Sequence, residues 1–176
     1  MNRPGPATYV TSADEIIWGL VLVAVTLIVH GIGMMAVLRF NHGFRERFPA
    51  QRGVGFGMVN LVLASWMVLL VHLVEVVIWA AFFQWKQCFE NYSTAAYFAL
   101  NEYTTVGSAL NLPLNWRLLV GMIATAGLLG FAWSTGVLLS LAQSVQDERL
   151  QTLESRASRH CPPLSSPESP TLPRSS

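Results

Sequence analysis

The chain has 176 residues, 52% of them hydrophobic and only 12% charged, where a soluble domain carries about 25% charged residues. It holds 11 Lys and Arg and 10 Asp and Glu, and of these only Glu75 falls within three apolar runs, residues 16–38, 58–83 and 118–142. A soluble globular fold, a disulfide scaffold and a nucleic-acid-binding domain are excluded on that count.

Each run exceeds the roughly 20 residues an α-helix needs to cross about 30 Å of hydrocarbon. Residues 1–15 form an N-terminal segment with a Thr11-Ser12-Ala13-Asp14 start signal ahead of the first transmembrane helix, 16–38. Residues 39–57 form a basic loop carrying Arg39, Arg45, Arg47 and Arg52. Its Gly53, Gly55 and Gly57 read as a flexible lead-in to the second helix, because no strand precedes them as a phosphate loop would require. The second and third helices are expected at 58–83 and 118–142. Residues 143–176 are a tail, a polar helix to about Arg156 and then a Ser/Pro-rich stretch that predicts disorder from about residue 157.

Positive charge is distributed asymmetrically. The 39–57 loop and the tail carry eight Arg between them, against Arg3, Lys86 and Arg117 elsewhere. The positive-inside rule then places the N-terminus and residues 84–117 outside, and the loop and C-terminus in the cytoplasm. A cleaved signal peptide fits poorly, since its apolar stretch is 7–15 residues long and follows positive charge, whereas Asp14 and Glu15 precede this one. Cys88 and Cys161 fall on opposite sides of this topology, so they read as free thiols, with a Cys88 bridge between subunits as the alternative. Trp66, Trp79, Trp85, Trp116 and Trp133 are expected to mark the interface belts.

Residues 90–113 are too long for a tight turn and too apolar for an exposed loop. Ser93-Thr94 can cap a short helix running from Ala95 to Tyr103, too short to span but suited to a re-entrant pore helix. Thr104-Thr105-Val106-Gly107-Ser108-Ala109-Leu110 follows without helical periodicity. Non-helical backbone at membrane depth is tolerated only where it is buried in protein or lines a water-filled path. A short helix, an extended strip and a full spanning helix make the layout of a pore loop.

The stretch AAYFALNEYTTVGSALNLPLNWRLL resembles the pore loop of the potassium-channel superfamily, whose filters read T-V-G-Y-G. The following GLLGFAWSTGVLL is similar to the inner helix of small bacterial ion-channel-domain proteins. The resemblance covers residues 58–142. It implies a homotetramer in a bacterial inner membrane, with 58–83 as outer helix, 118–142 as lining helix and 16–38 as an added peripheral helix. It also implies that Thr104, Thr105, Val106 and Gly107 form an ion cage for K⁺ or Na⁺, with no other cofactor.

Where the family has Tyr-Gly-Asp, this chain has Ser108, Ala109 and Leu110. Ser108 is too short to brace the strip. Ala109 in the positive-φ conformation of the missing Gly costs roughly 1 kcal/mol, and Leu110 lacks the hydrogen bonds of Asp. Weakened or absent potassium selectivity is the expected consequence.

The remaining polar residues carry alternatives. Glu102 in the pore helix is either a cation-attracting charge near the filter or a buried carboxyl satisfied by backbone amides, and Asn101 is expected to hold the strip by hydrogen bonds. Glu75, with His72 three residues before it on the same helix face, is either a metal or proton site or an anchor behind the pore helix. Counted at about 1.5 Å per residue from the cytoplasmic ends of the apolar runs, His30 lies near 13 Å and His72 near 21 Å, which argues against His30 as a third ligand. Gly127 and Gly130 serve either close helix–helix contact or a bend in the inner helix. Without a nucleophile–base set, a phosphate loop or a closed metal site, the chain does not read as an enzyme. The sequence thus predicts an all-α integral membrane protein with three transmembrane helices and a re-entrant pore helix and filter-like loop between the second and third. Its alternatives are a non-conducting assembly protein on the same fold, and a metal-sensing or metal-transport protein using His72 and Glu75.

Overall fold

The computed structural model describes residues 9–47 and 54–160. It contains α1 (Ala13–Arg47), α2 (Val54–Trp85), the short α3 (Tyr92–Tyr103), a 3₁₀ turn at Leu114–Trp116, and α4 (Leu119–His160). No strand occurs among the described residues. Three of the helices are long and apolar enough to cross a membrane.

All three long helices overrun their apolar segments. α1 continues nine residues past Leu38, α2 starts four residues before Met58 with Gly55 and Gly57 already inside it, and α4 runs on to His160. α4 thus continues through residues 157–160, and the tail beyond residue 160, on which the expectation of disorder rests, lies outside the described residues. Backbone hydrogen bonding, once propagating, costs little to extend into a polar sequence that lacks Pro. Acidic residues in the first turn of α1 (Asp14, Glu15) and basic ones in its last (Arg45, Arg47) complement the helix dipole.

α2 packs against every other helix, and α3 lies against α2 and α4. Two apolar clusters form. One gathers Trp79, Phe83, Phe98, Tyr103, Leu119 and Ile123; the other gathers Met34, Val37, Ala64, Val68 and Leu141. Outside these clusters the spanning helices present large apolar side chains such as Leu20, Ile28, Leu70 and Trp66, the surface a bilayer or a neighbouring subunit accommodates. Trp79 departs from the interface belt expected of it. It is fully buried, and its indole N–H donates to Thr26 Oγ1 at 3.0 Å.

The start of α1 is tied to the start of α4. Glu15 is fully buried, accepts from Tyr9 Oη at 3.0 Å and accepts the amide of Leu118. A carboxylate here satisfies an amide left without an intrahelical partner at a helix N-terminus. At the opposite ends, Arg45 Nη1 donates to Ser144 Oγ at 3.3 Å. The first helix is thus fastened to the last at both ends.

Candidate functional site

The cap of α3 is Asn91, whose side chain accepts the Thr94 amide at 2.8 Å, in place of the Ser93-Thr94 cap read from the sequence. The helix buries Ala95, Phe98, Ala99, Glu102 and Tyr103, a single stripe at helical spacing. Tyr97 and Leu100 remain exposed on the other side.

Beyond Tyr103 the backbone turns back on the helix it leaves. The amides of Thr104 and Thr105 donate to the carbonyls of Leu100 (3.1 Å) and Glu102 (3.0 Å), and those of Val106 and Gly107 both donate to Asn101 O at 3.0 and 3.2 Å. The amide of Ser108 donates to Glu102 Oε1 at 3.0 Å. Five consecutive amides are thereby directed at the C-terminal end of α3. Among the described residues no donor reaches the carbonyls of Thr104, Thr105, Val106 or Gly107. Left-handed φ values of 60° at Thr105 and 77° at Gly107 make this course possible. For β-branched Thr105 that conformation is a strained outlier of the kind that clusters at functional sites.

The strip differs in detail from the sequence expectation. Ala109 is spared a positive φ, because the left-handed turns fall at Thr105 and Gly107. Ser108 does not stand unbraced, since its hydroxyl also donates to Glu102 Oε1, at 3.2 Å. Glu102 is buried beneath the strip and holds it from the helix side. Asn101 holds the strip through its main-chain carbonyl, while its side chain donates to Tyr97 O at 2.7 Å. The Thr104 hydroxyl is engaged with Leu100 O at 2.8 Å, whereas Thr105, Val106 and Gly107 are exposed, Val106 to 75%.

A second polar site lies behind α3. His30 Nδ1 is 2.9 Å from Glu75 Oε1, Tyr103 Oη donates to Glu75 Oε2, and His72 Nδ1 is 2.8 Å from Tyr103 Oη. His72 Nε2 and His30 Nε2 both reach Ser134 Oγ, at 3.0 and 3.3 Å. The five side chains close a ring drawn from α1, α2, α3 and α4, and all are buried. Along each long helix the ring falls between the two apolar clusters.

The depth argument against His30 is overturned. Measured from the real helix ends, His30 stands 17 residues before Arg47 and His72 stands 18 residues after Val54, which at 1.5 Å per residue is about 26 and 27 Å. The two imidazoles are level because α1 overruns its apolar segment by more than α2 does. Tyr103 and Ser134, absent from the sequence reading as site residues, complete the ring. A Tyr at the end of a buried helical stripe, its polar tip needing a partner, was the available signal for the first.

Gly127 and Gly130 bring α4 against α3. A Cβ at Gly127 would lie 2.0 Å from Tyr103 O, and one at Gly130 would lie 3.0 Å from Tyr103 Oη and 3.3 Å from His72 Cε1. Both glycines are contact positions for the last residue of α3 and the polar ring. Comparison of the chain with protein-family models, with characterised proteins and with solved structures returns no match.

Proposed function

We propose that the protein is a homotetrameric cation channel of the potassium-channel type, with α3 as a re-entrant pore helix and Thr104–Gly107 as the ion-coordinating strip. The observation that carries this reading is the inward turn of five successive amides, which leaves four successive carbonyls without a donor among the described residues. Carbonyl oxygens so released replace the hydration shell of a permeating cation when several chains surround it. A single strip cannot enclose an ion, so the exposed Thr105, Val106 and Gly107 face an axis shared by four subunits. The arginine asymmetry favours the N-terminus outside and the C-terminus in the cytoplasm, and the resemblance to small bacterial ion-channel-domain proteins favours a bacterial inner membrane. α1 carries no repeated arginines within its apolar part and is a peripheral helix, not a voltage sensor.

Selectivity follows from the upper strip. Glu102 fixes Ser108 from behind, but no side chain at 108–110 supplies the aromatic brace and second glycine of a strict potassium filter. A wider, hydrated upper vestibule passes sodium and potassium with similar ease. Reversal potentials in planar bilayers under a sodium/potassium gradient test this, for wild type and for Ser108→Tyr, Ala109→Gly, Leu110→Asp combined. The expected result is weak discrimination in wild type and a shift toward the potassium potential in the triple variant. A wild-type reversal at the potassium equilibrium potential refutes the selectivity claim, and absence of current from both proteins favours a non-conducting assembly protein.

A further inference from the structure

We infer that the ring behind α3 is a binding site for one divalent transition-metal ion of the zinc class, with His30 Nδ1, His72 Nδ1, a Glu75 carboxylate oxygen and Tyr103 Oη as its donors. The donor atoms of His30, His72 and Glu75 lie within 4.8 Å of one another and all three residues are buried. Two imidazoles and a carboxylate form a set that zinc takes at about 2.0–2.2 Å in tetrahedral geometry. Donors on such a tetrahedron stand about 3.3 Å apart at those bond lengths. Here Glu75 Oε1 is 2.9 Å from His30 Nδ1, and Glu75 Oε2 is 3.7 Å from His72 Nδ1. These two separations bracket that edge, and the Tyr103–Glu75 contact is shorter than it, so the ring widens there when an ion enters.

One placement of the ring's protons leaves a place for a cation. Ser134 Oγ lies next to Met34 Sδ, 3.9 Å away. When its hydroxyl hydrogen turns there, both its lone pairs receive the Nε2–H groups of His30 and His72. That arrangement fixes the tautomer of both rings in the way ligating histidines are usually fixed, through the nitrogen away from the metal. Both Nδ1 lone pairs then face the Glu75 carboxylate and the Tyr103 oxygen. Three acceptor-to-acceptor contacts result: His30 with Glu75, Glu75 with Tyr103, and Tyr103 with His72. The phenol supplies one proton for the three.

In that placement the inner side of the ring is short of positive charge, and one divalent ion supplies it. A neutral metal-free ring holds two more protons than the metal-bound one, and both leave to water as the ion enters. The carboxylate and phenolate balance its two charges, so the cluster is neutral before and after, as a desolvated position requires. The metal-free alternative is a closed ring of five hydrogen bonds in which the Ser134 hydroxyl donates to one imidazole.

The inference is independent of ion conduction and is tested without measuring current. Full-length protein purified in detergent without chelator is analysed for metal by inductively coupled plasma mass spectrometry. Chelator-stripped protein is then titrated with Co²⁺ and with Zn²⁺. The expected results are about one zinc per chain as isolated, a tetrahedral Co²⁺ d–d absorption band, and two protons released per ion bound. Gly130→Ala leaves every donor in place but crowds Tyr103 Oη and His72 Cε1. It is expected to weaken Co²⁺ binding at least tenfold while the protein remains folded by circular dichroism. Less than one-tenth of an equivalent of metal together with no Co²⁺ band in wild type overturns the site and leaves the hydrogen-bonded ring as its resting form. A band that survives unchanged in His30→Gln or Glu75→Gln overturns the ligand assignment.

Discussion

Glu102 and Ser108, six residues apart, are joined twice: one carboxylate oxygen accepts both the amide and the hydroxyl of the serine, at 3.0 and 3.2 Å. The link closes the strip onto α3 across the two left-handed residues, Thr105 and Gly107.

Two substitutions separate the halves of that link. Ser108→Ala removes the hydroxyl bond and keeps the amide bond, so it is expected to cost about 0.5–1.5 kcal/mol. Glu102→Ala leaves the Ser108 amide without its acceptor and is expected to cost about 1–3 kcal/mol. Thermal unfolding in detergent, followed by circular dichroism, should rank wild type above Ser108→Ala and Ser108→Ala above Glu102→Ala. Equal melting temperatures for the two variants would show that the amide bond contributes nothing.

A glycine series along α4 distinguishes contact from bending. Gly127→Ala puts a Cβ 2.0 Å from a backbone oxygen, which forces α3 and α4 apart and is expected to lower the melting temperature by more than any other substitution in the series. At Gly121 and Gly136 a Cβ meets nothing within 4 Å, and alanine there should be neutral or stabilising by up to about 1 kcal/mol. If α4 instead bends at Gly127 or Gly130, alanine there would reduce current while leaving the melting temperature unchanged.

Assembly is tested at Val106. In the proposed tetramer four strips converge on one axis and bring four copies of this exposed side chain together, so Val106→Cys, in a background with Cys88 and Cys161 changed to serine, should form disulfide-linked dimers on mild oxidation. Native mass spectrometry should report four chains per particle. Three or two chains, or no cross-link, would break the pore assignment.

Cys88 offers a pH-dependent readout outside the spanning helices. Burial pushes its thiol up to about 11, while the Lys86 ammonium pulls it the other way. Lys86 itself sits among the rings of Trp18 (4.6 Å), Trp85 (4.1 Å) and Trp116 (5.4 Å), a cation–π arrangement. A thiol whose folded value lies above its unfolded one holds its proton more tightly when folded. The stability it lends is present below the unfolded value and is lost as pH rises toward 11. Maleimide labelling of Cys161→Ser protein at pH 8 is expected to run roughly a hundredfold slower folded than unfolded, from the thiolate fraction alone. Lys86→Gln should slow it further. Equal rates would place the thiol in water.

The three apolar helices are legible in the sequence because a spanning segment must be continuous and nearly free of charge. Their ends are not, because polar residues such as Asn41 and Gln143 continue a helix as readily as they end it, and it was this that put His30 and His72 at different depths. The strip is legible from Thr104 to Gly107. What lies behind it is not, since the Tyr103–Glu75 and Glu102–Ser108 pairs leave no periodic trace and are set by how α3 lies against its neighbours. Gly127 and Gly130 stand out as small residues, but their partner, the end of α3, is known only once the helices are packed.

The contact between Glu15 and Leu118 spans 103 residues, and this has a consequence for biosynthesis. At about 5–20 residues per second, the ribosome takes roughly 5–20 seconds after making Glu15 to deliver its partner amide. During that interval α1 and α2 are already made, and His30 can meet Glu75 well before Ser134 exists. The five ring residues therefore leave the ribosome in the order His30, His72, Glu75, Tyr103, Ser134. Until α4 follows, the imidazoles of His30 and His72 lack the Ser134 hydroxyl that both reach in the folded chain, and unpaired polar groups are costly in lipid. Release of α1 into lipid as an independent anchor is disfavoured for as long as those groups are unpaired.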